Sequence, residues 1–196
     1  KDGRSLELLQ EIDTVVFDKT GTLTLDQPHV TAVHACTGFS KESVLTYAAA
    51  AEAKQSHPIA RAIVEGARER QVSPGEVKEF RSTGARGVSG RVDGAMVLIG
   101  NRKLLNEEGI SGLEALDQEL DNLEGRGRTA VLVAVDGQAC GIVAVADTIK
   151  GESVAAIRGM HDLGLHVVMI TGDNERAARA VAEEVGIDEV QAGVLP

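Results

Sequence analysis

The chain has almost no aromatic residues: no tryptophan, one tyrosine and three phenylalanines among 196 residues. So few rings offer no stacking platform for single-stranded nucleic acid, and the core must be built from Leu, Ile, Val and Ala. Positive charge is also short, with 20 Lys and Arg against 30 Asp and Glu and a net charge of −10. That balance excludes a basic nucleic-acid groove. Any phosphate the protein handles must be held by local devices: backbone N–H groups, a metal ion or one placed lysine. The two cysteines, Cys36 and Cys140, stand far apart with no C-x-x-C pairing. Zinc and dithiol sites are therefore unsupported, and the pair reads as two small buried hydrophobes in a reducing compartment. No apolar run reaches membrane-spanning length; "VLVAV" and "IVAVA" are strand-sized. No signal peptide opens the chain, so the expectation is a soluble chain, whether or not it is cut from a larger one. The pattern G-x-x-x-x-G-K-[ST] is also missing, which excludes a P-loop.

What is present is concentrated chemistry. "TVVF", read as a short buried strand over Thr14 to Phe17, runs straight into "DKTGTLT", Asp18 to Thr24. A plain reversal needs only an Asp-Gly or Asn-Gly pair. A carboxylate at a strand end can instead attack phosphorus, provided a divalent cation relieves the charge repulsion. Gly21 permits a tight turn whose N–H groups can face phosphate oxygens. Near the other end, "HVVMI" is followed by "TGDN", Thr171 to Asn174, and then by the helical pattern "ERAARAVAEEVGI". Ala177, Ala178, Val181 and Val185 fall on one face of that pattern, and Gly186 is its stop. A further helix, "KGESVAAIRGMHDLG", precedes the strand. This order predicts a Rossmann-like α/β unit with a parallel sheet, its ligands at the carboxyl ends of the strands.

The middle has another texture. "KESVLTYAAAAEA" and "HPIARAIVEGARER" read as helices; Ile59, Ala62, Ile63 and Ala67 form the apolar face of the second, and Pro58 its first turn. "GVSGRVDGAMVLIGN" and "TAVLVAVDGQACGIVAVAD" read as antiparallel strands, with Asp136-Gly137 as a hairpin turn. A polar helical stretch is expected over about residues 102–123. The organisation expected is 1–28 and 146–196 for the parallel-sheet domain, incomplete at its C-terminus. An α+β domain with an antiparallel sheet is inserted at 29–145.

"DKTGTLT" resembles the phosphorylation signature of P-type ATPases, ion pumps on the haloacid-dehalogenase-like fold, and "TGDN" resembles a second signature of that family. "AEAKQSHPIARAI", with its Ser56-His57-Pro58, resembles the heavy-metal-transporting branch, although a His before a helix-starting Pro is by itself more often a cap. The resemblance covers essentially the whole chain. It implies that Asp18 accepts the γ-phosphate of ATP, that Asp18 and the Thr20 carbonyl hold Mg2+, and that Thr171, with Asp173 in the same loop, serves the phosphoryl group. Lys19 is assigned a supporting electrostatic role. Glu52 and His57 are implied at the adenine end, with Gly87, Gly100 and Asn101 as further nucleotide-site residues. Gly84 departs from the branch's Gly-x-Gly-Val by one extra residue.

The same resemblance implies a parent with transmembrane and actuator domains, a transported heavy-metal ion not bound here, and a place on the cytoplasmic side of a membrane, the plasma membrane of a prokaryote being the expectation. Members of the family continue past "VLP" to a phosphate-neutralising Lys and a Gly-Asp-Gly-x-Asn-Asp loop, so the chain is expected to be cut short. Two alternatives stay open. One is a nucleotide-binding module without catalysis; the other is a soluble phosphatase of the superfamily, which would carry an acid where this chain has Thr20. Asp147 of "DTIK" reads as a helix cap at least as well as a chemical group. His29, His34, His161 and His166 show no metal-ligand spacing.

Overall fold

A computed structural model describes residues 11–173 and 175–194 of the chain. In chain order the elements are β1 (Thr14–Asp18), β2 (His29–Ala35), α1 (Lys41–Glu52), α2 (Pro58–Glu69), β3 (Val77–Ser82), β4 (Gly87–Val92), β5 (Ala95–Gly100) and α3 (Arg102–Glu107). After these come α4 (Asp117–Glu124), β6 (Thr129–Val135), β7 (Gln138–Ala146), α5 (Ser153–Asp162), β8 (His166–Ile170), α6 (Glu175–Val185) and β9 (Glu189–Gln191). They form two compact units, Lys1–Asp26 with Asp147–Pro196, and Gln27–Ala146. A parallel sheet and an antiparallel sheet are both present, as the α/β reading with an inserted α+β part requires.

The first unit carries three parallel strands in the order β1-β8-β9. Helices α5 and α6 cover one face through Ile157, Ala178, Ala182 and Val185, which pack with Val167 and Met169 of β8. The anticipated apolar face of α6 is realised, with Val181 half-buried at its margin. The expectation of a buried first strand is corrected. Val16 is 53% exposed, because β1 has only β8 as a neighbour among the described strands.

The second unit is a six-stranded antiparallel sheet in the order β2-β7-β6-β5-β4-β3. Successive side chains of a strand point to opposite faces, and β7 shows it: Val143 and Val145 join one cluster, Ile142 and Ala144 the other. Helices α1 and α2 cover the first face with Leu45, Ala48 and Ile63, and α3 and α4 cover the second with Leu104, Leu105 and Leu123. With both faces covered, the inner strands β6 and β7 read as nearly continuous apolar runs, whereas the edge strand β3, "VKEFRS", does not. The stretch anticipated as polar between 102 and 123 is instead amphipathic and buries five leucines, Leu104, Leu105, Leu113, Leu116 and Leu123. Asp136 and Gly137 turn β6 into β7 with φ of 47° and 81°, the positive pair a type I′ hairpin demands. The elements order the chain so that β1 and β8 end together, and α1 hands directly over to α2.

Candidate active site

Strands β1 and β8 run in register, Asp18 opposite Ile170. The residues that follow, Lys19-Thr20-Gly21 and Thr171-Gly172-Asp173, therefore leave the sheet side by side at its carboxyl end. A parallel pair places its loops this way wherever both strands stop at the same level.

The loop after β1 has a defined shape. Thr20 (φ −75°, ψ 127°) and Gly21 (φ 75°, ψ −16°) are the two central residues of a type II turn, whose second position needs φ > 0 and so glycine. The Thr24 N–H closes the loop onto the Lys19 carbonyl at 3.2 Å, and the buried Thr24 hydroxyl donates to the same oxygen at 3.3 Å. The returning chain clamps the loop from outside. Lys150 Nζ donates to the Gly21 carbonyl at 2.7 Å. The Ser153 hydroxyl and the Lys150 N–H both donate to the Leu23 carbonyl, each at 2.9 Å. Asp147 is a joint rather than a helix cap: its carboxylate accepts from Asp26 N–H and from its own neighbour Thr148. Neither Lys150 nor Ser153 was singled out from sequence; the signal was "DTIK", whose lysine follows a strand pairing.

Amid this bonding Asp18 is exposed, and its side chain makes no capping hydrogen bond. A carboxylate held at a strand end but not used by the fold is available to react. Lys19 is different from a solvated loop charge: it is 9% exposed and its ammonium pairs with the Asp173 carboxylate. That ion pair ties the first motif to the second. Thr171 is buried, its hydroxyl accepting from the Asp173 N–H at 3.2 Å; a hydroxyl in that role keeps its own proton to donate. Val194 N–H donates to the Thr171 carbonyl, and Gly193 N–H to that of Asp173. Asn174, the last residue of "TGDN", lies outside the described residues. Among the described residues no three His, Cys, Asp or Glu side chains gather around a metal position. The Asp18 carboxylate and Thr20 carbonyl are hard oxygen donors that suit Mg2+, which keeps several waters and takes few protein ligands.

The second unit holds the other predicted residues. Glu52 ends α1, 3% exposed, and its Oε2 has no hydrogen-bond partner. Such a group is costly to leave charged, and burial pushes its carboxyl up to about 7. His57 caps α2: its Nδ1 accepts from the Ala60 N–H at 3.2 Å. The neutral ring must then carry its proton on Nε2, which lies 3.5 Å from Glu52 Oε2. Burial also moves the His57 pKa down, toward the neutral ring. Gln55, between them, donates to the Ser82 hydroxyl at 3.0 Å, and the Lys54 ammonium lies 5.9 Å from the Phe80 ring centre.

Gly87 and Gly100 face each other in the β4–β5 register. A Cβ on Gly87 would collide with the Ile99 carbonyl oxygen and come 2.7 Å from Leu104 Cδ2. These two glycines are thus required by the close approach of the strands. Asn101 caps α3 through Oδ1, which accepts from Leu104 N–H at 2.9 Å, and its N–H bonds to the Arg86 carbonyl. Gly84 has φ of 65° and open space around it. The structure thus brings Glu52 to His57, and Gly87 to Gly100 and Asn101, while Asp18, Lys19, Thr20, Thr171 and Asp173 gather in the other unit.

A strand-end carboxylate, a Gly turn and a second Thr-Gly-Asp loop on a parallel sheet define a phosphotransferase-like class. The chain belongs to the haloacid dehalogenase-like hydrolase family, matching it over residues 12–196. It is 46% identical to a copper-transporting P-type ATPase of Rhizobium leguminosarum bv. viciae, over all of this chain and 23% of that protein. Among solved structures it resembles a zinc-transporting PIB-type ATPase in its E2.Pi state, with TM-score 0.76 and 39% identity, over 100% of this chain and 31% of that one. It also resembles the catalytic domain of a CPx-ATPase, with TM-score 0.67 and 28% identity, over 99% of this chain and 66% of that one. The resemblance read from the two signatures is borne out: the homologues are heavy-metal P-type ATPases, and the chain matches their phosphorylation and nucleotide-binding region. It spans about a quarter of the length of the curated relatives it matches.

Proposed function

We propose that the chain is the ATP-binding and phosphorylation region of a heavy-metal-translocating P-type ATPase, with Asp18 as the phosphate acceptor. An Asp18 carboxylate oxygen attacks the γ-phosphorus of ATP in line with the bond to the β–γ bridging oxygen. The new bond is carboxyl oxygen to phosphorus, the bond broken is phosphorus to bridging oxygen, and ADP leaves with the electron pair. The Thr171 hydroxyl donates to a phosphoryl oxygen. Lys19 acts by position, holding Asp173 and with it the second loop against the first. Mg2+, held by Asp18 and the Thr20 carbonyl, would supply positive charge that offsets the repulsion between carboxylate and phosphate. Glu52 and His57 take the adenine end of the nucleotide, with Gly87, Gly100 and Asn101 as further contacts.

The parent chain would carry transmembrane and actuator parts and move a heavy-metal ion, such as the copper and zinc named for its relatives, across a membrane on whose cytoplasmic side this region lies. The single observation that carries the reading is the pairing of Asp18 with Ile170, which sets the two signature loops side by side around an uncapped carboxylate. A soluble phosphatase is less suited, since Thr20 offers no acid to hasten loss of the phosphoryl group. The test is incubation of the full-length protein with ATP and Mg2+. An acid-stable, hydroxylamine-labile phosphoprotein is expected; its absence under turnover conditions overturns the reading.

A further inference from the structure

The loop that carries Asp18 turns on one residue. Gly21 is the only glycine of "DKTGTLT", and its backbone is the reason: φ is 75°, while an added Cβ would meet nothing nearer than Asp26 Cβ at 3.9 Å. The freedom that lets glycine take this φ also lets it leave. Gly21 is exposed, so hydrogen bonds rather than packing must hold it. There is one on each side of its Cα. Its N–H donates to the Thr24 hydroxyl at 3.4 Å, a long and weak bond. Its carbonyl accepts from Lys150 Nζ at 2.7 Å, a short bond from a charged donor, about twice as strong as a neutral one. The stronger restraint on the loop therefore comes from outside the signature.

The backbone of Lys150 is itself anchored for this task. Thr24 and Ile149 form an antiparallel bridge, and Leu25 N–H donates to the Thr148 carbonyl at 2.9 Å. Lys150 N–H donates to the Leu23 carbonyl, and the Lys150 carbonyl accepts from Ser153 N–H at 3.0 Å, where α5 begins. From this fixed base the side chain reaches back along the loop to Gly21. One residue thus grips two alternate carbonyls, that of Leu23 through its backbone and that of Gly21 through its ammonium. The Leu23 carbonyl has the Ser153 hydroxyl as a second donor.

The consequence lies one peptide away, and this step rests on the reading above that Asp18 takes the phosphoryl group with Mg2+ at the Thr20 carbonyl. Thr20 and Gly21 are the central residues of the turn, so a change in Gly21 φ swings the peptide that carries the Thr20 carbonyl. We propose that Lys150 is a positioning residue of the phosphorylation site: its ammonium, by fixing Gly21, keeps the turn in the form that presents the Thr20 carbonyl as a metal donor. Releasing one residue's backbone from a single well changes its population by roughly tenfold. A site whose competent form is a tenth populated needs about ten times the ligand concentration to fill, but still fills. Loss of Lys150 should therefore act on the requirement for Mg2+ and not on the maximal extent of phosphorylation.

Three variants test this. Lys150→Met removes the ammonium and leaves the backbone bonds to Leu23 and Ser153. Lys150→Arg keeps a charged donor. Ser153→Ala removes a clamping bond from a carbonyl that Lys150 N–H still holds, and so controls for ordinary loss of stability. The first readout is NMR relaxation of the metal-free chain. Gly21 and Thr22 amides are expected to be rigid, with order parameters of about 0.85, in the wild type, Lys150→Arg and Ser153→Ala, and to fall below about 0.6 in Lys150→Met. The second is phosphoprotein formation by the full-length protein at saturating ATP, titrated with Mg2+. Half-saturation is expected to rise about tenfold in Lys150→Met and to stay within about twofold in the other two, with the plateau and metal-free ATP affinity kept. A rigid Gly21 in Lys150→Met overturns the proposal, as does an unchanged Mg2+ requirement or an equal shift in Ser153→Ala. Each of these results leaves Asp18 standing as the acceptor. Absence of phosphoprotein in the wild type at every Mg2+ concentration would overturn the phosphorylation reading itself, and the proposal with it.

Discussion

The ion pair between Lys19 and Asp173 joins the two signature loops, and cutting it from either side should have unequal effects. The Lys19 side chain is 11% exposed and that of Asp173 is 28% exposed. In Lys19→Met the stranded carboxylate can still reach water, so the cost should be about 1–2 kcal/mol, between the values for surface and buried pairs. In Asp173→Asn the stranded group is an ammonium nine-tenths out of water, and about 3 kcal/mol is expected. The double variant leaves no lone charge and should cost about 2 kcal/mol, well short of the sum of the single costs. The resulting coupling of about 2–3 kcal/mol is large for two residues 154 positions apart. Amide hydrogen exchange along β8, at Val167 to Ile170, reads the local stability of this unit without requiring it to unfold globally. Additive effects, within about 0.5 kcal/mol, would refute the claim that Lys19 positions the second loop.

Two further perturbations probe the other unit. Burial raises the Glu52 carboxyl from 4.5 to about 7, so the folded protein binds more protons than the unfolded chain between those values, and stability falls as pH rises through that window. Above pH 7 the full penalty of about 3 kcal/mol applies; in urea denaturation Glu52→Gln should exceed wild type by that amount at pH 8, with the gap closing toward pH 4.5, and parallel pH profiles would contradict it. Gly87→Ala forces a Cβ onto the Ile99 carbonyl at φ of 154° and should cost about 3 kcal/mol. Gly84→Ala, in open space at φ of 65°, should cost only about 1 kcal/mol, as followed through the single tyrosine, Tyr47; equal costs would refute the packing argument.

Much of this architecture could be read from residue order. The hydrophobic periods of α2 and α6 and the Asp136-Gly137 turn are local signals, and they specify local structure. The two signatures identified their neighbourhood because seven and four consecutive residues carry far more information than any one residue. What escaped was long-range. Nothing near Lys19 in sequence announces a partner at Asp173, so only a general electrostatic role could be assigned to it and not the ion pair that joins the two loops. Lys150 and Ser153 clamp the Gly21 and Leu23 carbonyls from across an inserted unit of 120 residues, Gln27 to Ala146. The leucines between 102 and 123 were diluted by surface charges, which hid an amphipathic face. The glycines assigned to nucleotide contact turn out to have a packing reason of their own, visible only once β4 and β5 are paired.

The central claim is that Asp18 is the residue that takes the phosphoryl group. The most direct measurement is phosphoprotein formation from γ-labelled ATP by the full-length protein, wild type against Asp18→Asn, with nucleotide binding measured in parallel. An amide keeps the size of the side chain but is a far weaker nucleophile. The account predicts complete loss of label in Asp18→Asn while ATP still binds, with the wild-type label mapping to the peptide that contains Asp18. Undiminished label in the variant, or label on another residue, would contradict it.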